Sequence, residues 1–206
     1  MTLTFTPSGH AVTLPKAARE LATAFGSSMM DANELLHVAG ALAIYPWDAG
    51  GIVVEIGAYE GRTTVFLARI LRMLGKRVPV LSIDPFERAR PDPVNPQGHY
   101  IAYLENIARE NLQDVCLPLV AFSQDAAAVV PNGIGVLVID GAHHYPLVKQ
   151  DFALYGPKVL PGGLIFVDDY VPAYPGVMRA TDEYFGTDAS FQVLHRTYFL
   201  IARRSG

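Results

Sequence analysis

Three acids and two imidazoles stand at the ends of two apolar runs. Val136-Leu-Val-Ile139 leads into Asp140-Gly-Ala-His143-His144-Tyr145, and Leu164-Ile-Phe-Val167 leads into Asp168-Asp169-Tyr170. Unbroken apolar runs of this kind predict parallel strands buried on both faces, whose ends emerge on one edge of a sheet. Asp140, Asp168 and Asp169 can therefore converge. Carboxylate oxygens that leave positions open for water and substrate describe a magnesium site, whereas three buried acids without a cation would repel one another and lose hydration. The plainer alternative is that Asp140 and Asp169 cap loops. A neutral imidazole beside a divalent cation, with an unperturbed pKa of about 6.5, can take the proton of a hydroxyl. His143 and His144 both have the chemistry for it.

A second constellation follows an earlier apolar run. Glu55-Ile-Gly57-Ala58-Tyr59-Glu60-Gly61-Arg62-Thr63-Thr64 places glycines where the backbone must turn sharply, with a helix start that attracts an anionic group. The spacing is Gly-x-x-x-Gly and departs from the Gly-x-Gly-x-x-Gly that cradles a dinucleotide pyrophosphate, which disfavours a nicotinamide dehydrogenase. The next run ends in Ser82-Ile-Asp84, where a carboxylate can accept both hydroxyls of a ribose or simply open the loop before Pro85. Phe122-Ser123-Gln124-Asp125 follows the third run.

With these motifs in this order, the stretch from about Ile52 to Asp169 resembles class I S-adenosylmethionine-dependent methyltransferases of the catechol O-methyltransferase type. The resemblance implies an α/β fold: a doubly wound, seven-stranded, mostly parallel sheet, its last strand antiparallel, with helices on both faces. It implies S-adenosyl-L-methionine as cofactor, with the methionine half on Gly57, Ala58, Tyr59, Gly61 and Thr63, and with Glu55 and Asp140 beside them. Asp84 then takes the ribose, and Ser123 and Gln124 border the adenine unless they only cap a short helix. Asp169 stands where the catechol enzymes carry asparagine, and is similar in this to the branch typified by macrocin O-methyltransferase. His143 stands where the catechol enzymes carry lysine and matches the base of the macrolide-sugar enzymes, which leaves His144 a structural role. The expected activity is magnesium-dependent methylation of a hydroxyl on a small molecule, a phenol, a catechol or a sugar-bearing natural product. A metal-independent methyltransferase and a non-catalytic cofactor-binding partner protein are the alternatives.

Five strand-like runs must position these groups: Ile52 to Ile56, Val78 to Asp84, Val115 to Phe122, Gly135 to Asp140 and Gly163 to Asp168. Helical patterns lie between them at Thr63 to Leu74, Tyr100 to Asn111, Gln124 to Val130 and Pro146 to Leu160, several ending at breakers such as Gly75, Pro131-Asn132-Gly133 and Pro161-Gly162-Gly163. Ahead of the sheet, Lys16 to Phe25 and Asp31 to Ile44 read as helices, the second opened by the capping box Asp31-Ala-Asn-Glu34. A helix from Val177 to Phe185 and an antiparallel pair, Phe191 to His195 and Tyr198 to Ala202, close the chain. Pro85 to Gly98 reads as a long loop at the edge where ligands bind. A single domain is expected over residues 1–206, helical up to residue 45 and built on the sheet core from 46 onward.

The composition sets the outer bounds. The 206 residues are 50% hydrophobic and 17% charged, with 10 Phe and 10 Tyr, which excludes a disordered chain. A net charge of -4 without a basic block argues against nucleic acid. Cys116 sits in an apolar segment and reads as a small buried hydrophobe. His10, His37, His99 and His195 have no acidic or motif partners in the sequence and read as core or surface side chains. Neither a signal peptide nor a membrane span is expected, so the cytoplasm is the expected compartment. A homodimer is compatible with apolar N-terminal helices that one domain need not cover.

Overall fold

The computed structural model describes residues 2–5, 10–27, 29–86 and 98–206. Most of the expected proline-rich loop, residues 87–97, lies outside the described residues, as does the side chain of His10. The chain begins with β1 (Thr2–Phe5) and β2 (His10–Thr13), which pair antiparallel from Thr2 opposite Thr13 to Phe5 opposite His10. This corrects the expectation of a purely helical start. Leu3 is buried between exposed Thr2 and Thr4, so the alternation of a half-buried strand is present there.

The helices α1 (Lys16–Phe25) and α2 (Ala32–Ile44) follow. The capping box at α2 is formed: Asp31 accepts from the Asn33 and Glu34 N–H groups at 2.7 and 2.9 Å, and the Glu34 carboxylate accepts from the Asp31 N–H at 2.5 Å. Strands and helices then alternate as β3 (Ile52–Ile56), α3 (Arg62–Met73), β4 (Val80–Asp84), α4 (His99–Arg109), β5 (Cys116–Val120), α5 (Ser123–Ala126), β6 (Ile134–Ile139), α6 (Tyr145–Tyr155), β7 (Val159–Val167) and α7 (Pro175–Thr187). Two further strands, β8 (Phe191–Arg196) and β9 (Leu200–Arg204), complete the chain's elements.

Seven strands form one sheet in the order β5-β4-β3-β6-β7-β9-β8. β9 runs antiparallel to both of its neighbours, β7 and β8, and the other pairings are parallel. The sheet is apolar because it is covered twice. Val53, Val136 and Val138 face Leu42 and Phe66, while Val54, Leu137 and Ile139 face Phe152 and Tyr155. Burying each such side chain contributes roughly 1.5–3 kcal/mol. Cys116 is buried as expected, and burial pushes its thiol up to about 12.

One boundary differs for an identifiable reason. α6 ends at Tyr155 and β7 starts at Val159, so Pro161-Gly162-Gly163 lies inside the strand instead of stopping a helix. The pairing of β6 with β7 shifts register between Ile134 and Val136, and Gly162 has φ 77°: the glycines serve an irregularity in the strand. Among the described residues, no helix is long and apolar enough to cross a membrane.

From β3 the chain passes to β4 on one side and later to β6 on the other, which leaves a crevice at the carboxyl ends where the strand order reverses. Hydrogen bonds beyond the strands proper hold the tips level there. Gly57 N–H donates to the Ile83 carbonyl at 2.9 Å, Asp140 N–H to Ile56 at 2.9 Å, and Asp168 N–H to Ile139 at 3.0 Å.

Candidate active site

A cavity of about 660 Å³ opens in this crevice, a size ordinary for a small-molecule or cofactor site. Its floor is the turn after β3. Gly57 has φ 89°, and a Cβ there would stand 1.9 Å from the Asp140 carbonyl oxygen, so only glycine lets the tips of β3 and β6 meet. Tyr59, at φ 48°, holds a left-handed conformation that a bulky residue rarely adopts, and Asp169 does the same at φ 56°. Both strained residues line the cavity.

Most of the expected cofactor contacts come together. Gly57, Ala58, Tyr59, Thr63, Asp84, Ser123, Gln124 and Asp140 all line the cavity. Asp84 reaches back to organise the turn: its Oδ2 accepts from the Ala58 and Tyr59 N–H groups at 2.9 and 2.8 Å, and its Oδ1 accepts from Phe86 N–H at 2.6 Å. The carboxylate therefore fixes the turn while keeping acceptor capacity for a ribose hydroxyl.

Glu55 and Gly61, also expected beside the cofactor, are not among the residues that line the cavity. Period two along β3 turns Glu55 to the same side as Val53, where it is fully buried and accepts hydrogen bonds from the Thr64 and Ser82 hydroxyls. Desolvation raises its pKa to about 7. Gly61 caps α3 at φ 75°, with the Tyr103 ring 2.5 Å from where a Cβ would be, so its glycine answers a packing need.

At the tips of β6 and β7 the acids and one imidazole meet. His143 lines the cavity, its Nε2 is 2.8 Å from Asp169 Oδ2, and its ring lies against Tyr174 with centroids 4.0 Å apart. His144 is exposed and does not line the cavity. Asp168 is 2% exposed and is absent from the main cavity wall. With Asp140, His143 and Asp169 it lines a small adjoining pocket of about 10 Å³, the scale of a single water or ion.

The electrostatics of this corner are those of crowded acids. Asp140 is raised well above the carboxylate range by desolvation and then by the charge of Asp169, and Asp168 is raised by desolvation and then by Asp140. Glu34, from α2, is a fourth member that spacing could not disclose: its charge helps raise Asp168, and it is itself raised by burial. Asp168 Oδ1 accepts from the Asp169 N–H at 2.9 Å, but its Oδ2 is buried with no partner among the described residues.

An orphaned carboxylate oxygen among mutually repelling acids is the donor chemistry that a hard divalent cation satisfies. Among the described residues, however, no three acidic, imidazole or thiol side chains are already gathered at coordination spacing. The donor set fits such an ion, and its side chains are not closed around one.

Two readings of other residues change. His99, expected to have no acidic partner, is buried with Nδ1 3.3 Å from Glu60 Oε1 and its ring 4.1 Å from that of Tyr59, so it braces the turn after β3. Asp151 on α6 lines the cavity and is 2% exposed, a position no motif marked. Away from the cavity, the buried His37 ring is tilted against that of His195 and edge-on to that of Phe199, and the half-buried His195 stacks on Phe199.

A seven-stranded sheet in this order, its only antiparallel strand slotted next to the outermost one and a cavity at the reversal point, is the fold of class I S-adenosylmethionine-dependent methyltransferases. Residues 54–170, more than half of the chain, match the methyltransferase domain family, and the chain belongs to it. An uncharacterized protein of Acanthamoeba polyphaga mimivirus, R132, is 32% identical over 124 residues, which cover 57% of this chain and 50% of that protein. The chain thus spans about half the length of the curated relative it matches. Among solved structures, the O-methyltransferase NovP has a TM-score of 0.73 at 20% identity, covering 87% of this chain and 82% of its own. An O-methyltransferase from Bacillus cereus, solved in complex with SAH, has a TM-score of 0.65 at 17% identity, covering 95% and 94%.

Proposed function

We propose that the chain transfers the methyl group of S-adenosylmethionine to a hydroxyl of a small molecule, with His143 as the general base. The observation that carries this reading is the His143–Asp169 pair, 2.8 Å apart in the wall of a cofactor-sized cavity at the strand tips. The NovP and Bacillus cereus structures, an O-methyltransferase and an O-methyltransferase holding SAH, support hydroxyl acceptors and this cofactor.

The cofactor supplies an activated methyl on a sulfonium. The turn from Gly57 to Thr63 and the Asp84 carboxylate hold it against the sheet edge, and the apolar part of the wall, Phe25, Met29, Met30, Leu35, Leu147 and Tyr174, excludes water from the acceptor. His143, oriented by Asp169 and flanked by Tyr174, takes the acceptor's proton as its oxygen attacks, and Asp169 stabilises the imidazolium that results. Positioning of the two reactants contributes most of the rate.

Asp140, Asp168 and Asp169 would hold magnesium, which when bound lowers the pKa of an acceptor hydroxyl and neutralises the acids. A second reading, methyl transfer without a metal, is favoured by the pairing of Asp169 with His143 and by the open arrangement of the carboxylates. The separating experiment is methyl transfer to a panel of phenols, vicinal diols and glycosides, with added magnesium and with EDTA. At least a tenfold loss of turnover in EDTA, restored by magnesium, is expected (on the order of several kcal/mol of charge stabilisation). Turnover indifferent to both reagents selects the metal-free reading, and SAH binding with no transfer to any acceptor overturns both.

A further inference from the structure

Asp151 projects from α6 into the cavity wall beside Ser123, and it takes no part in the chemistry above. Ser123 stands close enough to the carboxylate to lower its pKa against the effect of burial, and Tyr155, one turn further along α6, donates its hydroxyl to the Ser123 carbonyl at 2.6 Å. That bond ties α6 to the start of α5. Asp151 Oδ1 remains buried with no hydrogen-bond partner among the described residues, on a side chain only 2% exposed. A buried acceptor left unpaired destabilises the fold, and a donor arriving from the cavity removes that cost.

The nature of the donor follows from the ligand. S-adenosylmethionine carries three kinds of N–H or O–H donor: the α-ammonium of its methionine half, the ribose hydroxyls and the exocyclic amine of adenine. In the arrangement that the resemblance implies, the turn after β3 takes the methionine half and Asp84 the ribose, while Ser123 and Gln124, with Phe122 beside them in the wall, form the end left for the base. Asp151 stands at that end, and a carboxylate is an acceptor only.

We propose that Asp151 Oδ1 accepts a hydrogen bond from the exocyclic amine of adenine and makes the site choose adenine over a 6-oxopurine. The inference rests on the cavity being the S-adenosylmethionine site. Hypoxanthine puts a carbonyl oxygen where adenine has its amine, so two acceptors would face each other in a dry pocket. A site built around a buried polar group rejects the analogue that cannot satisfy it more strongly than an apolar site can. Burial pushes the Asp151 carboxyl up to about 6, so at pH 8 it is ionised.

The test is calorimetry of the whole chain at pH 8 with S-adenosylhomocysteine and with S-inosylhomocysteine, for the wild type and for Asp151→Asn, with circular dichroism to check the fold. The wild type should bind the adenosyl ligand at least ~10-fold more tightly, as expected for a mismatched buried hydrogen bond. Asparagine offers both an acceptor and a donor, so Asp151→Asn should shrink the preference to within ~3-fold, partly by tightening the inosyl ligand, an effect mere loss of structure would not produce. Asp151→Ser replaces it if that variant does not fold, and should likewise narrow the preference. Equal binding of the two ligands by the wild type, or an undiminished preference in the folded variant, overturns the role of Asp151 alone. Failure of the wild type to bind S-adenosylhomocysteine at all overturns the cofactor reading and this inference with it.

Discussion

As the proposed base, His143 depends on the orientation that Asp169 gives it. A free imidazole on a loop samples many rotamers, whereas the 2.8 Å contact to Asp169 and the Tyr174 ring leave it one direction in which to accept a proton. His143→Ala should lower kcat by ~10²–10⁴-fold, the usual worth of a positioned base, while calorimetry shows SAH affinity within ~3-fold of wild type. His144→Ala should leave kcat within ~3-fold, because that side chain faces solvent. A loss confined to His144→Ala would move the base to the other ring. The place of His143 in the cavity wall was legible from its position after Asp140, but its neighbour Asp169 was not. That pairing depends on β6 and β7 lying side by side and on the left-handed backbone of Asp169, neither of which is written in local spacing. Glu34 illustrates the same limit, since its capping role is local and readable while its electrostatic coupling to Asp168, far along the chain, is not.

At the scale of elements, the turn after β3 is where the fold and the site depend on the same atoms. Gly57→Ala should destabilise the chain by about 3 kcal/mol or more, through a backbone collision with Asp140 on top of an unfavourable φ, and should abolish SAH binding; thermal melts and calorimetry check the two effects separately. A variant that melts like wild type would mean the strand tips can part without cost. Ile52–Ile56 and Lys16–Phe25 were readable to the residue, because an unbroken apolar run and a 3.6-residue pattern bounded by Pro15 and Gly26 are unambiguous signals. Pro161-Gly162-Gly163 misled because breakers mark bulges within strands as well as ends of helices, and only the partner strand decides between them. The hairpin of β1 and β2 escaped because strands of four residues carry too few alternations to stand out.

For the whole molecule, the buried acids give stability a slope against pH. Glu55 is the clearest case, since desolvation in the core lifts its carboxyl from 4.5 to about 7. A carboxyl raised in the folded state binds its proton more tightly there, so the stability it contributes is complete below its unfolded value of 4.5 and is lost as pH rises through 7. Asp151, raised to about 6, acts in the same sense. Glu183, held low by Tyr145, Arg179 and Lys149, opposes them, but it lies at the solvent-screened surface. The ligand-free chain should therefore melt higher near pH 5 than near pH 8. Glu55→Gln should flatten that slope by about 1–3 kcal/mol across the interval, measured by denaturant titrations at both values. An unchanged slope would place the sensitivity elsewhere. The sheet's order has a consequence for how the chain is made. β9 follows β8 in sequence yet sits between β7 and β8, so as residues leave the ribosome the apolar edge of β7 must wait, unpaired, until Leu200–Arg204 have emerged. Non-local pairings of this kind form late and leave sticky edges open. A chain in synthesis therefore carries an open, aggregation-prone β7 edge until Leu200–Arg204 arrive.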